Sequence, residues 1–473
     1  MEIQKRCLLC GEENESLNYT CSCSTQPWAK EYRTLEVSLS LTALERKSII
    51  RSALNYQFDH PLGMLQYGGL PYRKLASPVL EAVGMTGFHA LRHFGEAAPG
   101  TIYVKNEGDN PSGCFKDRET LMCLLHMRAH NGQKAVIYSS GNAAASAALF
   151  ARQAGFSLVT FVAGDTYHEK IEYIQKQGSD VIVMGDESTN FEEGYRTFAK
   201  LNARGLFARK GYDNWSVRNP FRVHGDKTTA LEILLQLGRQ QLEVPDYVIV
   251  PTANGCNLAG IWKGFKELND LGLIDRLPRM VAAGIRHANP VAKAVSRGQV
   301  NVPQQCDLSP LDEDDHIIGS TIIAEEGYDS MQAARAVLES GGFAVGITRQ
   351  EVAKSLVHFL EKESDLALRE SILPEPASLI ALTAARKVQE RNSSQKDHRI
   401  VSIITGHGLK AKSPLDELLK NRPDLRKRTE QLIQQKKQTT RHRSTGKGHC
   451  FHVTAEVRTI RPLFNHLNPQ NAQ

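Results

Sequence analysis

An α/β fold built on parallel sheets is what this chain of 473 residues predicts. From about residue 60 to 412, short β-branched runs alternate with amphipathic stretches of ten or more residues, and the strand-to-helix joints are made of small residues. Lys134–Tyr138 reads as a strand and Asn142–Ala154 as the helix that follows it. Ser157–Ala163 is the next strand, Glu169–Gln177 a helix, Asp180–Met184 a strand and Phe191–Ala203 a helix. The pattern resumes with a helix over Thr228–Leu237, a strand over Tyr247–Val250, a helix over Asn257–Leu268 and a strand over Met280–Ile285. Val401–Ile404 is a last buried strand, leading into Thr405-Gly406-His407-Gly408. In open α/β sheets ligands sit beyond the carboxyl ends of strands, so the loops after these strands are where chemistry is expected.

Composition narrows the function classes. Hydrophobic residues are 41% and charged residues 23%, a globular balance that excludes a fibre or a disordered chain. No window approaches the roughly 18 uninterrupted apolar residues of a membrane span. Met1-Glu2-Ile3-Gln4-Lys5-Arg6 runs into Cys7 without an apolar core, so no secretory signal is expected. Nine scattered cysteines suit a reducing, cytoplasmic setting. The net charge of +6 is concentrated in the tail: between Lys420 and Lys447 ten Lys/Arg face only Asp424 and Glu430, leaving the body near −2. Without interleaved aromatic residues this run reads as a solvated helix or arm rather than a nucleic-acid contact, and a catalyst should survive its deletion after about residue 420.

Four segments carry candidate chemistry. Asn110-Pro111-Ser112-Gly113-Cys114-Phe115-Lys116-Asp117-Arg118 launches Lys116 just as a helix begins. The positive end of a helix dipole disfavours an ammonium and suits an amine tied up as an imine, although a surface lysine in a capped turn is the plainer account. Ser139-Ser140-Gly141-Asn142-Ala143 ends a strand and opens a helix whose free N–H groups can bind a carboxylate, or where Ser140 or Asn142 is simply an N-cap. Pro251-Thr252-Ala253-Asn254-Gly255-Cys256-Asn257 has the layout of a phosphate cradle, poor in glycine. Thr405-Gly406-His407-Gly408-Leu409-Lys410 closes the set at a strand end.

In order and content these segments resemble the fold-type II enzymes dependent on pyridoxal phosphate (tryptophan synthase β-like), and among them the threonine synthases. The resemblance covers about residues 60–412, with Asn110–Arg118 its most specific piece and Glu375-Pro376-Ala377-Ser378 a further match. It implies two doubly wound α/β domains with the cofactor between them. The large domain would comprise 36–130 and 205–412 and the small one 131–204, with a Cys-rich segment at 1–35 and a basic extension at 413–473. It also implies that Lys116 holds pyridoxal 5'-phosphate as a Schiff base and moves protons as the free amine. Asn142 would bond the ring hydroxyl. Ala253, Asn254, Gly255, Cys256 and Asn257 would hold the cofactor phosphate, and Thr405 would meet the pyridine nitrogen. Ser139, Ser140 and Ala143 would receive the substrate carboxylate, while Lys105 and Arg222 are the candidates for the phosphate of a phosphorylated amino-acid substrate. A hydroxyl at position 405 makes the ring a weaker electron sink than a carboxylate would, which suits elimination and replacement at Cβ or Cγ.

Three positions depart from the family pattern. Cys114 stands for a serine, and Ala253 and Cys256 stand for glycines, so the loop must avoid positive φ at both of the latter. The resemblance implies a carbon–oxygen lyase converting O-phosphohomoserine and water to threonine and phosphate, acting as a homodimer. A replacement enzyme using another activated amino acid or nucleophile, and a non-catalytic cofactor-binding scaffold, are the competing readings. Cys7, Cys10, Cys21 and Cys23 form two pairs that could hold structural zinc, but the second pair is one residue short of the usual spacing, which favours a metal-free remnant of such a ribbon.

Overall fold

The computed structural model describes residues 2–8, 10–13, 21, 35–54, 77–95, 100–166, 168–217, 219–300, 305–311, 323–324, 327–392, 398–439, 449–453 and 460. The first two strands, β1 (Glu2–Cys7) and β2 (Leu35–Ser40), pair as an antiparallel ribbon. Two larger sheets follow. One contains β3 (Gly87–Leu91), β4 (Thr101–Asn106), β9 (Tyr247–Pro251), β10 (Arg279–Ile285), β11 (Phe343–Ile347) and β12 (Arg399–Ile404), in the order β11-β10-β9-β12-β4-β3. All its pairings are parallel except the antiparallel edge pair β3–β4. The other contains β5 (Lys134–Tyr138), β6 (Ser157–Ala163), β7 (Asp180–Met184), β8 (Tyr212–Asn214) and β13 (Cys450–Val453), all parallel in the order β13-β7-β6-β5-β8.

Strand side chains alternate between faces, and a parallel sheet buries both of them. In β9, Tyr247 and Ile249 join one core while Val248 and Val250 join another on the opposite face. β10 repeats this, with Val281 and Ala283 on one side and Met280 and Ala282 on the other. The first core is closed by the helix Pro376–Arg391, the second by the helices Thr228–Arg239 and Cys256–Asp270.

Among its described residues, the basic extension is packed rather than a free solvated arm. The helix Pro423–Thr439 buries Leu425, Leu432 and Ile433 in the first core, an i, i+7, i+8 stripe that the surrounding bases obscure in the sequence. Arg422 pairs with Glu361 at 2.7 Å, Arg428 donates to the carbonyl of Leu360 and Lys436 approaches Asp109 at 3.5 Å. Farther along, β13 adds itself to β7, and Ile460 is buried in the core of that sheet. The five-stranded sheet thus draws β8 and β13 from beyond residues 131–204. No helix among the described residues is long and apolar enough to cross a membrane.

Candidate active site

Lys116 is the first residue of the helix Lys116–Ala129, and the loop before it is stitched to the end of β12. Phe115 N–H donates to the carbonyl of Thr405 at 2.9 Å, and His407 N–H to that of Gly113 at 2.9 Å. The carboxylate of Asp117 accepts from Ser112 N–H at 2.6 Å and from the hydroxyls of Ser112 and Ser146. Lys410 Nζ donates to Ser112 O at 2.8 Å. Two strand-end loops far apart in sequence are thereby held as one unit.

Thr405 Oγ1 lies 3.0 Å from Glu375 Oε1 and 3.0 Å from Ser378 Oγ. The other oxygen of Glu375 accepts from Asn142 Nδ2 at 3.0 Å. Glu375 therefore joins Asn142 to Thr405, a role that nothing local in Glu375-Pro376-Ala377-Ser378 assigns to it. Burial pushes its carboxyl up, against the hydrogen bond from Asn142 and the charge of Lys410. Asn142 opens the helix Asn142–Ala154, but the capping position belongs to Gly141, which has no side chain to offer the first-turn N–H groups. Ser139, Ser140, Gly141, Asn142 and Ala143 are all half-buried, as a docking edge requires.

The cradle segment behaves as the fold demands. Gly255 takes φ +102°, and a Cβ there would lie 2.5 Å from that of Ala333, so glycine is needed at this one position. Ala253 and Cys256 both avoid positive φ. The helix Cys256–Asp270 begins here with no side-chain cap, leaving its first-turn amides as an anion-binding end. Asn257 Nδ2 is buried without a hydrogen-bond partner among the described residues, whereas Asn254 Oδ1 accepts from Tyr328 N–H at 3.3 Å. An uncapped helix end, an unsatisfied buried amide and a nearby amine fit a phosphate-bearing aldehyde such as pyridoxal phosphate.

Lys116 lies beside the N-terminus of the Cys256–Asp270 helix. Its Nζ is 3.5 Å from Cys256 Sγ and 2.6 Å from Glu119 Oε1, with 15% of the side chain exposed. Glu119 is buried and also accepts from Arg222, through Nε at 2.6 Å and a terminal nitrogen at 2.6 Å, and from Cys256 Sγ at 3.0 Å. Close packing makes this meeting possible: a Cβ on Gly225 would stand 2.3 Å from the carbonyl of Arg118, so the helix Pro220–Asp226 lies against the Lys116 helix. Burial pushes the Cys256 thiol well above its usual range, helped by the charge of Glu119, and burial raises Cys114 to about 11. Both are thus protonated packing groups rather than reactive thiolates.

Arg222 reaches this pocket already engaged by Glu119. Lys105 does not reach it, and here the sequence expectation is corrected. Its Nζ is fully buried and donates to Glu232 Oε2 at 2.6 Å, Thr86 O at 2.7 Å and Gln236 Oε1 at 2.9 Å. Arg118 forks onto Glu107 and Glu232 beside it, so two cations and two carboxylates form a neutral buried tetrad. β4 is covered on both faces, and a lysine inside it has to find a carboxylate rather than a ligand.

In the N-terminal segment the sulfurs of Cys7, Cys10 and Cys21 all lie within 4.8 Å of one another, a donor set that could hold a metal; Cys23 lies outside the described residues.

Residues 79–406 match the model of the pyridoxal-phosphate dependent enzyme family. The chain is 30% identical over 411 residues to a threonine synthase of Methanocaldococcus jannaschii, covering 86% of this chain and 92% of that one. It is 27% identical over 410 residues to a threonine synthase of Methanosarcina acetivorans, with 86% and 91% covered. Its fold is also that of the processed form of threonine deaminase isoform 2 from Solanum lycopersicum, with a TM-score of 0.56 at 16% identity over 80% of this chain and 94% of that one. Fold, strand-end loops and relatives agree: this chain belongs to the pyridoxal-phosphate-dependent enzymes, and within them it is similar to threonine synthases.

Proposed function

We propose that the protein converts O-phosphohomoserine and water to threonine and phosphate. The observation that carries this reading is the meeting of Lys116, Asn142, Thr405 and an uncapped helix N-terminus in a chain that spans 92% of the length of a threonine synthase relative. Bound pyridoxal phosphate supplies an electron sink for the reacting substrate carbons. The amides of Ala253–Asn257 hold its phosphate, Asn142 its ring hydroxyl, and Thr405, backed by Glu375, its ring nitrogen. Ser139, Ser140 and Ala143 orient the substrate carboxylate, and Lys116 Nζ takes and returns protons at the substrate carbon. A homodimer acting on a phosphorylated amino acid belongs to the same proposal, and light scattering checks the assembly.

One observation favours a second reading. Of the two bases assigned to the substrate phosphate, Lys105 is committed to Glu232 and Arg222 shares its charge with Glu119. That supports a replacement enzyme acting on a less anionic activated amino acid. Purified protein carrying the cofactor, given O-phosphohomoserine, should release phosphate and threonine in equal amounts, and Lys116→Ala should abolish both. Covalently bound cofactor without phosphate release would turn the assignment to the second reading.

A further inference from the structure

We propose that Glu119, braced by Arg222, is the positioning residue that receives the Lys116 amine whenever that amine is not bonded to the cofactor. This rests on the reading of Lys116 as the cofactor-bearing lysine.

Glu119 lies three residues after Lys116, on the same helix face. Its two oxygens are divided: Oε1 takes Lys116 Nζ at 2.6 Å and Cys256 Sγ at 3.0 Å, while Oε2 takes Arg222. Arg222 fixes the carboxylate from behind, so the oxygen offered to the lysine does not wander. A lysine that alternates between a bonded and a free state needs a fixed place to return to, and this carboxylate is the one it touches. An anion at that distance in a buried pocket also makes the amine more basic, which sets the proton it carries when it lets go of the cofactor.

The groups facing Lys116 come from four elements: Glu119 on its own helix, Arg222 and Asp226 on Pro220–Asp226, Cys256 on Cys256–Asp270, and Glu375 at the cap of Pro376–Arg391. Asp226 is fully buried, and neither of its oxygens has a hydrogen-bond partner among the described residues. Ligand atoms of Glu119, Asp226 and Cys256 gather within 4.8 Å of one another, but Lys116 and Arg222 already supply the two cations Glu119 can use, so an added metal ion is redundant. Burial and the adjacent charge of Glu119 keep Asp226 protonated. The two carboxyls therefore carry one negative charge between them, and Asp226 is the reserve that ionises if Glu119 is lost.

The test uses full-length protein stripped of cofactor, to which pyridoxal phosphate is returned across a pH series. Covalent attachment is followed by the yellow colour and fixed with borohydride for mass analysis. Attachment needs the uncharged amine, so Glu119→Gln should lower the pH of half-maximal rate by about one unit, speeding attachment about tenfold below that pH. Glu119→Gln with Asp226→Asn should lower it further, and Arg222→Gln, which removes a neighbouring cation, should raise it. In the loaded enzyme, Glu119→Gln should reduce kcat tenfold or more while KM stays within twofold, and Glu119→Asp should recover part of the loss. If Glu119→Gln does not fold, the upward shift in Arg222→Gln decides the matter. An unchanged midpoint in all variants, with Lys116→Ala abolishing attachment, overturns the role of Glu119. Attachment that persists in Lys116→Ala overturns the assignment of the lysine and this inference with it.

Discussion

Replacing Lys105 with methionine separates a substrate contact from an internal strut. The lysine sits in β4 with Nζ spending all three donors on Glu232, Thr86 O and Gln236. Glu232 is shared with Arg118, whose guanidinium also forks onto Glu107 at 2.6 and 2.8 Å. Methionine fills most of the volume but leaves two carboxylates facing one guanidinium in a space sealed from water. Removing one partner of a buried pair costs about 3–5 kcal/mol, because the charge left behind is neither solvated nor neutralised. That is roughly two to nearly four powers of ten in the folding equilibrium. Adding Glu232→Gln to Lys105→Met should recover part of the loss, with a coupling of about 1–3 kcal/mol in the double-mutant cycle. Urea titration followed by circular dichroism measures the stabilities, and initial rates at varied O-phosphohomoserine measure KM. An unchanged urea midpoint together with a raised KM would refute the strut and restore Lys105 to the substrate.

Deletion after residue 420 removes Leu425, Leu432 and Ile433 from the core, at roughly 1.5–3 kcal/mol each against a total stability of about 5–15. The shortened chain should fail to fold, which size-exclusion chromatography and circular dichroism will show. His407 is buried and held neutral, down at about 3, by burial and by Lys436, while its Nδ1 accepts from Leu409 N–H. Since the unfolded histidine titrates near 6.5, the unfolded state binds the extra proton between about pH 3 and 6.5, and stability falls as pH drops through that window. From pH 7 to 5 this one group costs about 2 kcal/mol, and His407→Asn, which keeps an acceptor and cannot titrate, should lose that much less in urea midpoints at the two pH values. One equivalent of zinc per chain is expected by elemental analysis, lost in Cys7→Ser, because Cys7 is buried beside Cys10 and Cys21.

Strand limits at Lys134–Tyr138, Ser157–Ala163 and Asp180–Met184 were legible because apolar β-branched runs there stop at Gly, Ser or Asp turns. The loops bearing Lys116, Asn142 and Thr405 stood out as small-residue turns, but each also reads as an ordinary capped turn, and it is the resemblance that singles them out. β8, with three residues, is too short to leave a periodic trace, and β13 pairs with a strand some 270 residues earlier, which no local pattern encodes. Lys105 misled because the expectation followed the resemblance, which places a base at that position, rather than the residues around it. The better signal was its own neighbourhood, Ile102-Tyr103-Val104, in a strand with no polar face to spare. Glu119 was visible as i+3 from Lys116, but nothing local says that Arg222 stands behind it.

The place of β12 bears on how this protein is made. It lies between β9 and β4, yet it leaves the ribosome after every other strand of its sheet. Until residue 404 emerges, the nascent chain carries two half-sheets, each with a bare inner edge of unpaired amides and carbonyls, the kind of template that recruits a neighbouring chain. Any product that terminates before that point is an aggregation hazard rather than a weak enzyme. Expression should therefore respond to chaperone supply and growth temperature more than to codon choice near the start.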